Sequence, residues 1–384
     1  IVHENGVNAI NTEEDEYYLS KNGMGIKVIR DETGVIKAQG GFQLENEREG
    51  LTHNHPGILY CNVLEKGDYK NGCTFTVGAP LVPASRSVFS VMSNIKRGQK
   101  GEPQDYNSPE TIESNPYYEF FRLCNEANEN LIVKSGVVDE NDPKYDVSTS
   151  QGATALNKAV NKYMTFVDNN AVDYNIQFWD NYNYTVFAPT NEAVREAIAN
   201  GLPTWESIEA DFEACANEEG ELTNATDSIR IQEKIIYLTN FIRTHFADNT
   251  VFADKSDMNA EMFTSSFNNE TGLFVKSFVQ REGGMLKVKD NTKTGQWITA
   301  KYTTDDGRDV KNIMTCDREC NSKVKDQSMN NKTTDATNYA VIHLINGVLN
   351  HEDLVNGQYP DFQKDAEENG GKAARAYIQK FAIR

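Results

Sequence analysis

Apolar residues recur along the chain in two different periods, and the change of period divides it. Up to residue 92 they come in short β-rich runs at 17–19, 26–29, 35–36, 58–64 and 74–77. These runs are punctuated by Asn22-Gly23, Thr33-Gly34, Gly40-Gly41 and Asn71-Gly72, the turn dipeptides of hairpins, which predicts strands throughout. A helical spacing first shows at 87–92. Residues 93–114 are polar and carry Lys96, Arg97, Gly98, Pro103 and Pro109, a composition that predicts a linker.

From Asn115 the period is helical. Asn115 is placed as an N-cap with Pro116 in the first helical position. Tyr117, Phe121, Cys124 and Leu131 then share a face. A second helix is expected over 152–167, and a short strand at 185–188. Pro189-Thr190 opens a helix running to Ala199. Trp205, Ile208, Phe212 and Cys215 make a further stripe, and Ile231, Ile235, Leu238 and Ile242 another, ending near His245. Strands return at 273–275, 285–288, 296–300, 310–314 and 340–345. The chain closes with a polar tail and a helix over 372–384. Helices first and strands last indicate an α+β fold, not alternating βαβ units. The expected division is a strand-rich block 1–92, a linker 93–114, a complete domain 115–356 and a tail 357–384.

A length of 384 residues fits two units. An internal echo supports duplication: residues 22–28 resemble 283–288, each followed by a comparable closing strand. Lys and Arg total 38 against 57 Asp and Glu, a formal charge of −19. Such a surface repels phosphate backbones and anionic lipid, so no nucleic-acid partner is expected. No apolar run approaches the roughly 18 residues of a membrane-spanning helix. Since the sequence opens at Ile1, any targeting segment or lipid anchor is expected to lie upstream or to have been removed.

Residues 184–194, Tyr-Thr-Val-Phe-Ala-Pro-Thr-Asn-Glu-Ala-Val, resemble the first signature of fasciclin domains. Residues 240–246, which contain His245, are similar to the family's central histidine motif, with Thr244 where a tyrosine often stands. Residues 341–349, which contain His343, are similar to its closing motif, and 72–83 look like another closing motif. The resemblance implies a twisted β-sandwich wedge with flanking helices, one complete copy following the C-terminal half of another. It also implies a non-enzymatic extracellular or cell-surface adhesion and interaction module with a protein partner. The insertions and acidity are similar to those of bacterial outer-membrane lipoproteins beside nutrient transporters. The signature also has a purely physical reading as a strand-to-helix corner. Val186 and Ala188 face a core, Pro189 stops the strand, Thr190 caps the helix and Glu192 suits its dipole.

Candidate chemistry is sparse. His53 and His55 form a His-x-His pair without further ligands at metal-site spacing, and His245 and His343 are expected to be buried and hydrogen-bonded. Cys61 and Cys73 are not expected to pair, because a turn at Asn71-Gly72 would set Cys73 opposite Lys70. Cys124 and Cys215 are expected as buried apolar residues, and Cys316 with Cys320 as a local disulfide or half of a metal site. Asp305-Asp306-Gly307 reads as an ordinary turn. No catalytic residue, cofactor or metal site is assigned. The alternative function is carbohydrate binding or processing, on account of Trp179, Trp297 and several tyrosines. Phe187 and Ile342 are expected in the core, and the insertion 254–338, with the polar stretch 303–337 its least core-like part, is expected to carry a partner-specific surface.

Overall fold

The computed structural model describes residues 16–20, 23–51, 57–70, 72–94, 107–166, 176, 183–254, 257–316 and 339–383. An N-terminal sheet of five strands, β1 (Glu16–Leu19), β2 (Gly25–Arg30), β3 (Ile36–Gly40), β4 (Cys61–Tyr69) and β5 (Gly72–Val77), forms an antiparallel meander in chain order. Helix α1 (Gly41–Arg48) lies between β3 and β4 where only strands were expected. Gly40-Gly41 is the start of this helix, not a hairpin. A Cβ on Gly40 would stand 2.1 Å from the Val82 carbonyl oxygen, so only glycine fits where β3 runs into α1. The β4–β5 ladder pairs Asp68 with Cys73 and Tyr69 with Gly72, so the partner of Cys73 lies two residues from the expected Lys70. Cys61 sits opposite Ala38, far from Cys73.

The helical stretch follows as α2 (Val88–Met92), α3 (Pro109–Ser114), α4 (Tyr118–Asn125), α5 (Glu129–Lys134) and α6 (Ser150–Asn161). Asn115 ends α3 and does not cap α4; its side-chain oxygen accepts the Tyr117 N–H at 2.9 Å. Then come β6 (Asn183–Pro189), α7 (Asn191–Ala199), α8 (Trp205–Cys215) and α9 (Ala225–Thr244). The chain continues through β7 (Phe246–Asp248), β8 (Met258–Asn268), β9 (Leu273–Glu282), β10 (Met285–Asp290), β11 (Ile298–Lys301), β12 (Ile313–Cys316) and β13 (Tyr339–Ile345). It ends with α10 (Phe362–Glu367) and α11 (Lys372–Phe381).

This second sheet runs β11-β10-β9-β8-β7-β6-β13-β12. β12 pairs with residues 339–342 of β13, which leaves the rest of that edge open. β11 fills it, pairing Ala300 with Ile345 and Lys301 with Leu344. Seven strands therefore close into a barrel, and the expected sandwich wedge is replaced by a closed ladder. The mixed class is as expected: most strands fall in two runs, β1–β5 and β7–β13, with most helices between them, although α1 interrupts the first run and β6 lies among the helices.

β6 and β13 are parallel, with Val186 opposite Ile342 and Phe187 opposite His343. Both are buried on both faces. Val186, Ala188, Ile342 and Leu344 pack under the helices, while Phe187 and Ile345 point into the barrel. A strand covered on both sides carries apolar residues at consecutive positions, which is why 184–188 and 340–345 read as unbroken runs.

The N-terminal sheet is not a separate body. Tyr17, Leu44 and Ala84 pack with Phe252, Met314 and Val341, and the Tyr17 and Phe252 rings stack at 4.6 Å. α2 enters the helical core, with Phe89 5.3 Å from Phe121 and 5.2 Å from Phe166. The tail is equally integral: Tyr359, Phe362 and Tyr377 surround Tyr237 at 5.3–5.8 Å, and Phe381 is fully buried. Residues 303–316, expected to be surface, contribute buried Val310, Met314 and Cys316; 317–338, including Cys320, lie outside the described residues.

Phe187→Ala and Ile342→Ala should each cost about 2–5 kcal/mol, the range for large-to-small changes in a packed core. Chemical denaturation measures this, and losses under about 1 kcal/mol would contradict the two-sided burial. A fragment 115–356 leaves out Phe89, Met92, Phe362 and Phe381, so it should lack a cooperative melting transition. A fragment 84–383 should keep one. Equal transitions in the two would show that these segments are dispensable.

Candidate functional site

The signature segment is a corner whose side chains are spent on the frame. The Thr190 N–H donates to the Ile345 carbonyl at 2.9 Å, and its hydroxyl accepts the Ala193 N–H at 3.3 Å, capping α7 as the sequence predicts. Thr185 bridges strand and loop, donating to the Asn249 carbonyl at 2.8 Å and accepting from the Val251 N–H at 3.0 Å. Asn191 reaches across: it accepts the Glu119 N–H at 3.0 Å and donates to the Asn115 carbonyl at 2.8 Å. Asn115 in turn donates to the Met92 carbonyl at 2.8 Å. A chain of two asparagines thus ties α7, α4 and α2 together.

The histidines do the same work inside. His245 follows α9; its Nδ1–H donates to the Phe241 carbonyl at 2.9 Å and its Nε2 accepts the Leu349 N–H at 3.0 Å. Both nitrogens of a neutral ring are satisfied, which fixes the tautomer. The imidazole links the central histidine segment to the closing segment, and the Phe187 N–H donates to the His245 carbonyl at 2.9 Å. His343 bonds the Val251 carbonyl through Nε2 at 2.8 Å, and His351 meets the Tyr377 hydroxyl at 2.6 Å. Thr244, in the place of the family's tyrosine, is fully buried and donates back to the Asn240 carbonyl at 2.7 Å. His3, His53, His55 and Trp179 lie outside the described residues. Among the described residues no group of three His, Cys, Asp or Glu side chains could hold a metal ion.

Two clefts flank this frame. One, of about 520 Å³, opens beside Thr190 and α7 against Gly347 and Tyr359. The wider, about 770 Å³, lies between α1 of the N-terminal sheet and the loop into β12. Its walls alternate in charge. Arg86 pairs with Glu45 at 3.1 Å, Arg48 with Asp309 at 3.6 Å and Arg308 with Asp306 at 2.9 Å. Arg48 also donates to the Lys311 and Asn312 carbonyls at 2.6 and 3.1 Å, and Arg308 to that of Ser114 at 2.5 Å. Val91, Pro116, Ile313 and Met314 supply the apolar part. Tyr117 lines the cleft with its hydroxyl buried and unpartnered, and burial pushes its pKa up to about 12. Sequence reading found the acidic turn at 305–307 but not its partners, because Glu45, Arg48 and Arg86 come from the other end of the chain.

The buried titratable groups make stability depend on pH in two directions. Burial lowers His245 and His351 to about 3 and His343 to about 4, from an ordinary 6.5. Below pH 6.5 the unfolded chain takes up protons that the folded chain refuses, so stability drops as pH falls toward 4. Glu233 behaves oppositely: burial, then the nearby Asp365, raises it from 4.5 to about 8. Between those values the folded state holds the extra proton, so stability falls as pH rises. Stability should therefore peak near about pH 7, where the uptake by three unfolded histidines and the release by one folded carboxyl balance. Glu233→Gln should flatten the alkaline limb in denaturant titrations and leave the acid limb in place. An alkaline limb unchanged in that variant would contradict the assignment.

Scanned against protein-family models the chain matches none, and no curated protein matches it.

Proposed function

We propose that this chain is a non-enzymatic cell-surface interaction protein, built on a fasciclin-type domain, that grips a protein partner in the cleft between its two sheets. Supporting the fasciclin reading, the three motif-like segments meet at one place: β6 pairs with β13, and His245 joins both to Leu349. On this reading the echo is a duplication. Both echo segments follow tight turns and run as strands with antiparallel neighbours on each side, β2 between β1 and β3, β10 between β9 and β11.

The observation that carries an interaction role is the division of labour. Thr185, Asn191, His245 and His343 are consumed within the frame, whereas the cleft presents guanidinium and carboxylate groups on elements fixed by that frame. A wall of alternating charge selects a partner of complementary pattern and speeds its encounter more than it adds raw affinity. Among the described residues no helix is long and apolar enough to cross a membrane. Placement at a bacterial outer membrane, as an accessory subunit of a nutrient-uptake assembly, rests on the resemblance.

Glu49→Lys and Arg308→Glu alter the cleft at exposed positions. Purified from its native membrane after mild crosslinking, the wild-type chain should bring down a stoichiometric protein partner. Each variant should lower that recovery by about tenfold, equivalent to about 1.4 kcal/mol, with an unchanged melting temperature. Undiminished recovery in both variants would contradict the assignment of the cleft.

A further inference from the structure

The outer face of the β8–β11 meander carries a second surface, none of whose residues used below lines the cleft. Strand alternation turns Met262, Val279, Leu286 and Val288 into the barrel and sends Glu261, Phe278 and Lys289 outward. The register sets Glu261 opposite Phe278 and Phe278 opposite Lys289. Trp297 comes next, one residue before the Ile298 that pairs with Val288. The Lys289 ammonium lies 5.4 Å from the ring centre of Phe278 and 5.4 Å from that of Trp297, so the lysine stem fills the gap between them. The result is a Phe–Lys–Trp row, with Trp297 its most exposed ring and Phe278 half-buried. Trp297 is 42% exposed, and Phe263, 38% exposed, extends the strip with Lys276 over its ring.

Charge singles this face out. Lys276 is paired with Glu261 at 2.6 Å, but Lys287 and Lys289 make no ion pair among the described residues. Against these two stands Glu282, exposed on the same face of β9, so the face carries a small positive excess on a chain of formal charge −19.

We propose that this strip binds an acidic polysaccharide, a chain of uronate-bearing sugars. Sugar rings present flat C–H faces that lie on aromatic rings, and uronate carboxylates meet ammonium groups between them. Phe278 and Trp297 are two strand spacings apart, about 9.5 Å, which suits alternate rings of an extended glycan. A strip one row deep is narrow for a protein partner, which covers about 800 Å² a side.

The test uses the full chain in calorimetric titrations with oligogalacturonate, oligomannuronate, the neutral methyl ester of each, and single-stranded DNA of equal charge. At least one uronate should bind, with its ester weaker by about tenfold. Trp297→Ala should weaken both acid and ester by about tenfold, whereas Lys289→Met should weaken the acid alone. Both positions are solvent-facing, and near-ultraviolet circular dichroism would confirm that each variant is folded. Failure of both uronates to bind would overturn the proposal. So would unaltered binding by Trp297→Ala, or DNA binding as tight as that of the acids, which would show charge without stacking.

Discussion

Everything in the molecule hangs on the parallel pairing of β6 with β13, two strands separated by some 150 residues of chain. Forming it closes a very long loop, and that entropic cost is met only because both strands bury both faces at once. Val186 and Ile342 complete the helical core, while Phe187 and Ile345 complete the barrel. The polar groups around the pair are few. Thr185, Thr190, His245 and His343 each satisfy a backbone group that would otherwise be stranded in the interior, where an unmade hydrogen bond costs about 1–3 kcal/mol.

The consequence for function is a separation between frame and surface. The residues most distinctive in sequence are the least available to a partner. Two surfaces remain: a charged cleft that exists only because the N-terminal sheet docks against β12, and an aromatic strip on the barrel's outer wall. The cleft depends on the junction of Tyr17, Leu44, Phe252 and Met314, so whatever loosens that junction also reshapes the cleft. The strip depends only on strand register, and a slip of one residue would turn Phe278 and Lys289 into the barrel.

What the sequence disclosed was local chemistry. The strand stop at Pro189, the cap at Thr190 and the stripes of α8 and α9 are decided by neighbours within one turn, and they were legible. Long-range uses were not: Asn191 serves Asn115 across 76 positions, and His245 serves Leu349 across 104. α1 was hidden because Gly40 and Gly41 are demanded by the close approach of Val82 and Ala84, not by a turn. β8 was hidden because Thr264, Ser265 and Ser266 point polar atoms into the interior, where Ser266 meets Asn240 at 2.8 Å. Of the candidate surfaces, Trp297 and the turn at 305–307 stood out in sequence. Their partners on neighbouring strands and on α1 emerge only from the register and the packing.

Native-state hydrogen exchange of the intact chain tests most directly the claim that the motif segments form one frame. The amides of Val186 and Ile342, the Leu349 amide held by His245, and the Val91 amide of α2 should share a single opening free energy equal to that of global unfolding. Exchange of Leu349 or Val91 through smaller local openings, with the β6–β13 pair still protected, would contradict it.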